Sequence, residues 1–465
     1  MAFTTSRAGN ATGLMRSLCS LMPISITLVS CSSSYAAAAA AGTSSGGGSS
    51  RGFALKARGG ASEEEASTPV CSPRDSGTNK HSFRSMGHPA VPDGLRLKQV
   101  VVICRHGDRA PVSSSLGNIL DDGPDSVKLW NSKLPPKEEV MKTPQGAEEL
   151  RLVGERLRGV LEGGGDEGGG GEGSLFPAGL EAEKSAIFVR CTRLKRTHQS
   201  AQNMLEGLGL KDGVDLYVRP PERETLWPSK RNRGKQDRLI ARAIAESTFP
   251  GQAELKTKTA EMVGVPEDDV KWTTVREVLS CYEAHGVALP AGAISSGVVE
   301  GVVDYTGWMW GRWFEQREMA RLSLGPFLAE LLTLVGARGH ETGVPEAGMP
   351  SAPKLAIFSG HDSTLVPILT ALKIYDDVWP PYASYITLDV AEDEQGGGRL
   401  VRVVFNGREA VLPGAKGPWV PLLELQERLE DVMPIAEDAI DSDLDDAATG
   451  SSEISAAVSG SGKTK

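Results

Sequence analysis

The first 61 residues contain no aspartate or glutamate. In a chain of net charge −10, an acid-free stretch with Arg7, Arg16, Arg51, Arg58, many serines and an Ala36–Ala41 run reads as a targeting leader, residues 1–61, not as fold. An organelle transit peptide, for mitochondrion or plastid, fits that bias. The alternative is a secretory signal peptide with an apolar region from Leu18 to Val29, leading to a secretory or lysosome-like compartment. Cysteine is scarce too: there are six, and none follows Cys281. Cys19 and Cys31 belong to the leader. Cys104 and Cys191 end apolar strand-like runs, where buried free thiols are expected. With only Cys71 and Cys281 left, a disulfide framework has no support. The single Asn-X-Ser/Thr sequon, at Asn10, lies in the leader. Both facts lean towards an organelle.

Other absences exclude function classes. Past the leader, no run is long and apolar enough to span a membrane, so the mature chain has no transmembrane segment. The acidic balance argues against a nucleic-acid partner. The body has no Gly-X-Ser-X-Gly, which leaves a serine hydrolase unsupported. No Cys/His cluster has zinc spacing, and neither a metal nor another cofactor is called for. Gly460-Ser461-Gly462-Lys463-Thr464 resembles the end of a P-loop, but Ala457 replaces the earlier glycine and no helix can follow. No internal repeat is visible, and nothing in the sequence sets an oligomeric state.

What remains is an alternation of strands and helices. Residues 62–94 are polar and rich in proline and glycine, a disordered linker. Leu97–Cys104 is a β-branched run that predicts a buried strand. Thr143-Pro144-Gln145-Gly146 opens a helix with Leu150, Val153, Leu157 and Val160 on one face. Gly163–Gly173 is a surface insertion. Ile187–Cys191 predicts a second strand, followed by a helix burying Thr197, Ala201, Met204, Leu205 and Leu208. Residues 211–320 show helical texture without strand alternation, a helical cap. Leu322–Leu334 is another helix, Leu355–Ser359 a third buried strand, and Leu365–Leu372 the helix after it. Tyr385–Val390 and Leu400–Phe405 alternate as an edge hairpin. The expected fold is a layered α/β core, residues 95–210 and 321–430, with a mostly parallel central sheet and the cap inserted between its halves. Residues 434–465, acidic and rich in serine, read as a disordered tail.

The chemistry gathers where three strands end. Arg105-His106-Gly107-Asp108-Arg109-Ala110-Pro111 follows the first strand and sets two guanidiniums around one imidazole. Arg196-Thr197 lies just past the second strand. Ser359-Gly360-His361-Asp362 ends the third. Open α/β sheets bind ligands at the carboxyl ends of their strands, and guanidinium forks suit a tetrahedral dianion such as a phosphate monoester. Several polar residues read as background. His198 suits a partly buried helix position, His285 the cap, and Asp108 a local salt bridge. Lys230-Arg231-Arg233-Lys235-Arg238 reads as a solvated basic run.

Taken together, these segments resemble the histidine acid phosphatases, the second branch of the histidine phosphatases. The likeness extends to Thr143-Pro144-Gln145-Gly146, Gly154-Glu155, Val189-Arg190-Cys191-Thr192, Ser200-Ala201 and Trp379-Pro380-Pro381-Tyr382-Ala383-Ser384. It covers roughly residues 95–430. Within the family, Ser323-Leu324-Gly325-Pro326-Phe327-Leu328, Glu283-Ala284-His285 and the Trp379-Pro380-Pro381 run are most similar to lysophosphatidate phosphatases. The resemblance implies hydrolysis of a small-molecule phosphomonoester through a phosphohistidine on His106. It implies that Arg105, Arg109, Arg196 and His361 hold the phosphate and that Asp362 donates the proton. Beside a dianion the Asp362 acid is expected to have a raised pKa, favouring an acidic optimum. Two departures stand out: Arg193 and Lys195 replace a common acidic pair, and Gly360 stands where alanine is common. A phosphoglycerate-mutase-like phosphotransfer enzyme is an alternative that the Asp362 directly after His361 disfavours. A catalytically idle phosphate-ester binding protein is the other.

Overall fold

The computed structural model describes residues 87–109, 144–163, 174–210, 212–229, 231–284, 289, 292–337 and 353–439. The leader, Cys71, Thr143, residues 164–173, Lys230, His285 and the chain beyond residue 439 lie outside these. Strands β1 (Leu95–Arg105), β2 (Ile187–Cys191), β3 (Leu216–Val218) and β4 (Leu355–Gly360) pair in parallel, in the order β3-β2-β4-β1. Strand β5 (Tyr385–Asp393) joins β1 antiparallel, and β6 (Arg399–Phe405) completes the hairpin. Two short strands, β7 (Arg408–Ala410) and β8 (Trp419–Pro421), both pair with β6. The hairpin therefore continues the sheet rather than ending it.

Helices cover both faces, which is why the central strands read as unbroken apolar runs. Successive β1 side chains alternate between two cores. Val100, Val102 and Cys104 pack with Leu150, Val153 and Leu157 of α1 (Pro144–Leu161) and with Ala201 and Met204 of α2 (Lys195–Gly207). Val101 and Ile103 face the other way. The segment between β3 and β4 supplies α3 (Arg233–Ala245), α4 (Gln252–Val263), α5 (Trp272–Ala284), α6 (Val298–Glu315) and α7 (Arg317–Leu334). Leu324, Phe327 and Leu331 of α7 join Leu365 and Ile368 of α8 (Asp362–Ala371) and Leu425 of α9 (Leu422–Leu429) beneath Val101 and Ile103.

Three boundaries differ from the sequence reading. Residues 211–320 are not wholly helical, because β3 lies within them; three residues are too few to show alternation. The linker ends before residue 88, where the His88 Nε2 lies 2.8 Å from Asp389 Oδ2. Arg402 holds that same carboxylate oxygen at 2.8 Å and also donates to the carbonyls of Pro89 and Ala90. The tail also starts ordered: Ala436–Ala439 form a helical turn, and Arg321 Nε lies 3.1 Å from Asp438 Oδ2. In both places a charged contact with the core fixes chain that looks solvated from its composition.

The Arg402–Asp389 pair has no exposed side-chain surface, so removing one partner strands a buried charge. Arg402→Met is expected to cost about 3–5 kcal/mol, read by urea unfolding; a loss under ~1 kcal/mol would deny the pair that role. Burial alone would raise the Asp389 pKa, but His88 and Arg402 together hold it below the ordinary range. A depressed carboxylate contributes stability above its unfolded pKa and loses it as pH falls further. This contribution should therefore survive mild acid and fade below about pH 3.8.

Candidate active site

Register sets the site. Cys191, Ser359 and Cys104 lie side by side across β2, β4 and β1, and Arg105 pairs with Gly360. All three strands thus end in one row. The His106 amide donates to the Gly360 carbonyl oxygen at 3.1 Å, and the rings of His106 and His361 approach to 5.5 Å between centroids. The loop after β1 is held from below. The Gly107 amide donates to Ser200 Oγ on α2 at 3.1 Å, and the Asp108 amide to Glu149 Oε2 on α1 at 3.0 Å. A Cβ on Gly107 would fall 2.2 Å from the Gly146 carbonyl oxygen, so this backbone approach requires glycine.

His106 is buried. Its Nδ1 lies 2.8 Å from the Gly107 carbonyl oxygen, which can only accept. Nδ1 therefore carries the ring proton and Nε2 keeps its lone pair. Burial, followed by the charges of Arg196 and Arg109, holds the His106 pKa well below its usual value. The ring is therefore neutral.

His361 caps α8 and is also neutral, for burial and then Arg196 depress it in the same way. Its Nε2 lies 3.1 Å from Thr192 Oγ1, which lies 2.9 Å from Thr197 Oγ1. The His361 side chain accepts the Thr364 amide in a capping box, so the ring proton sits on Nε2 and is donated to Thr192 Oγ1. Trp227 stacks on the ring at 5.0 Å. Thr364 Oγ1 accepts the His361 amide at 3.1 Å. A Cβ on Gly360 would come within 2.6 Å of that hydroxyl oxygen, so here Thr364 occupies the space an alanine methyl would need.

Guanidiniums surround the two rings. Arg105, the last residue of β1, donates to the Pro380 carbonyl oxygen at 2.5 Å and lies 3.1 Å from Asp362 Oδ2. Its guanidinium sits 4.2 Å over the Tyr382 ring, which also flanks His106. Arg109 pairs with Glu277 of α5 at 2.8 Å. Burial, followed by repulsion from Arg109, opposes the charge on Arg196. A guanidinium does not shed its proton in a protein, and the Asp362 and Glu277 carboxylates offset part of that repulsion. The Nε–H groups of Arg105 and Arg196 are buried with no acceptor among the described residues.

Asp362 is 18 % exposed at its side chain. Its Oδ1 accepts the Ser363 amide at 2.9 Å. Its Oδ2 faces Arg105 and, at 3.6 Å, Arg276 of α5. Burial would raise its pKa, but Arg105 and Arg276 outweigh burial and hold it well below the carboxylate range. The raised value expected beside a dianion is thus opposed by the protein's own cations, one of which the sequence did not reveal.

All six sequence-assigned residues therefore meet at one place. Arg193 and Lys195 are exposed. Arg190, inside the matching Val-Arg-Cys-Thr run, points elsewhere and pairs with Glu330 at 2.8 Å. In the basic run, Arg233 pairs with Asp237 and Lys235 with Glu318. Cys104, Cys191 and Cys281 are buried free thiols. Among the described residues, no group of three or more His, Cys, Asp or Glu could hold a metal ion, and no helix is long and apolar enough to cross a membrane. The sequence reading missed Arg276, Glu277 and Trp227.

Fold and site define an α/β protein whose parallel strand ends gather guanidiniums around two neutral imidazoles. The chain matches the histidine phosphatase superfamily (branch 2) over residues 96–246 and 307–406 and belongs to that family. It is similar to Counting factor 60 of Dictyostelium discoideum, 24% identical across 71% of this chain and 84% of that one. It is similar to lysophosphatidic acid phosphatase type 6 of Bos taurus, 25% identical across 72% of this chain and 83% of that one. Among solved structures, Hafnia alvei phytase shares the fold, with a TM-score of 0.56 and 13% identity over 74% of this chain and 98% of that one. The chain is a phosphoric monoester hydrolase of the histidine acid phosphatase type.

Proposed function

We propose that this enzyme hydrolyses small phosphomonoesters through a phosphohistidine on His106, with Asp362 as proton donor and guanidiniums supplying the positive charge. The observation that carries this reading is the His106 ring: Nδ1–H is tied to the Gly107 carbonyl oxygen, and Nε2 is left nucleophilic among Arg105, Arg109 and Arg196. In the first step Nε2 attacks phosphorus, the ester P–O bond breaks, and the leaving oxygen takes the Asp362 proton. Water then attacks phosphorus and gives its proton to the Asp362 carboxylate. The N–P bond breaks, phosphate leaves, and His106 is neutral again. The three arginines and His361 hold the non-bridging oxygens and stabilise charge spread over the transferring phosphoryl group.

Lysophosphatidate is the first substrate to test, supported by the similarity to a protein of that activity and by Trp227 stacked beside the phosphate site. A phosphate-release panel across pH, with lysophosphatidate, phytate, a sugar phosphate and an aryl phosphate, tests both parts. Turnover of lysophosphatidate at least ~10-fold above phytate is expected, since one methylene's worth of differential burial already approaches that ratio. Preference for phytate overturns the substrate, and no release from any ester overturns the reaction. The leader, residues 1–61, addresses the enzyme to an organelle in this reading. A reporter fused to it and found in secretory compartments would overturn that address.

A further inference from the structure

The matched family stretches leave out residues 247–306, and α5 lies in that interval. It delivers a fourth guanidinium to the site. Arg276 is 4 % exposed. Its guanidinium stacks 3.7 Å over the Trp379 ring, which fixes its plane and direction. Its Nη2 lies 3.6 Å from Asp362 Oδ2, while its Nε–H is buried with no acceptor among the described residues. A cation so placed is held by one ring and one carboxylate oxygen, and that oxygen is shared with Arg105.

We propose that Arg276 is a positioning residue that anchors Asp362 from the inserted helical segment and sets the pH above which the enzyme lacks a proton donor. This rests on the reading of Asp362 as that donor. Of the two cations on that oxygen Arg105 is the nearer, at 3.1 Å against 3.6 Å. When phosphate oxygens engage Arg105, its hold on Asp362 weakens, and Asp362 can bind a proton next to the leaving group. Arg276 has its ring partner and stays. It keeps the carboxyl in place and limits how far its proton affinity rises. The other charged or titratable groups that act on or around Asp362 are Arg109 and His361 from the neighbouring strand ends, Arg196 from α2, and Tyr375 after α8. Among the described residues, only Arg105 and Arg276 form an ion pair with it.

The test is the pH profile of kcat for the full chain with an alkyl phosphate. Arg276→Met removes the charge and keeps the stem. Its alkaline limb should move up by about 1 pH unit, the lower end of what a neighbouring opposite charge contributes. Arg276→Lys should restore the wild-type limb. A folded Arg276→Met enzyme with the wild-type limb overturns the inference. If the methionine variant does not fold, Arg276→Gln is read against Arg276→Lys in the same way. Asp362→Asn separates the two claims. Loss of the alkaline limb in Asp362→Asn, with no movement in Arg276→Met, sinks only the role of Arg276. Persistence of that limb in Asp362→Asn sinks the proton-donor reading beneath it.

Discussion

His106→Ala should reduce phosphate release by on the order of 10⁴–10⁶-fold while leaving phosphate binding largely intact. The size follows from what is lost: removing a covalent nucleophile commonly costs that much, and the residual rate comes from the surrounding charge. Binding should survive because the ring is not what attracts the anion. Arg105, Arg109 and Arg196 come from β1, the loop after it and α2, and Arg105 and Arg109 are fixed by contacts that do not involve the imidazole. Inorganic phosphate should therefore still raise the Tm of the variant. Acid quenching during turnover should trap phosphate on wild-type protein and none on His106→Ala. Full activity in the variant would remove His106 from the reaction altogether.

The parts of this site visible in the sequence are those governed by local pattern. Val100–Cys104 reads as a buried strand because a parallel strand covered on both faces has no polar side. The charged residues after it, and after Leu355–Ser359, then stand at strand ends by necessity. What the sequence could not supply is which ends become neighbours. That depends on β4 inserting between β1 and β2, a matter of tertiary pairing. The contributions of α5 were hidden for the same reason. Glu277 reaches Arg109 across 168 positions, and Arg276 sits on an amphipathic helix where one more arginine carries no signal. Trp379-Pro380-Pro381-Tyr382 showed only as a likeness. The structure gives it work: a carbonyl for Arg105, a ring beneath that guanidinium and another beneath Arg276. Strands β3, β7 and β8 were missed because three residues hold too little periodicity.

Asp362→Asn should lower kcat for an alkyl phosphate by roughly 10²–10⁴-fold, the usual contribution of a positioned general acid, and should lower KM as well. The two effects have separate causes. An amide cannot hand a proton to the departing alkoxide, so the loss should shrink with an aryl phosphate whose leaving group needs none. The fall in KM comes from charge. The Asp362 carboxylate competes with substrate for Arg105, at 3.1 Å. Its neutral isostere frees that cation for the phosphate. A ground-state interaction that opposes binding is thereby removed together with the proton the transition state requires, so kcat and KM fall together. The Ser363 amide can still donate to the side-chain oxygen of asparagine, so the start of α8 should hold its geometry. An unchanged kcat for the alkyl ester would show that another group supplies the proton. A raised KM would show that the carboxylate helps to bind substrate instead of competing with it.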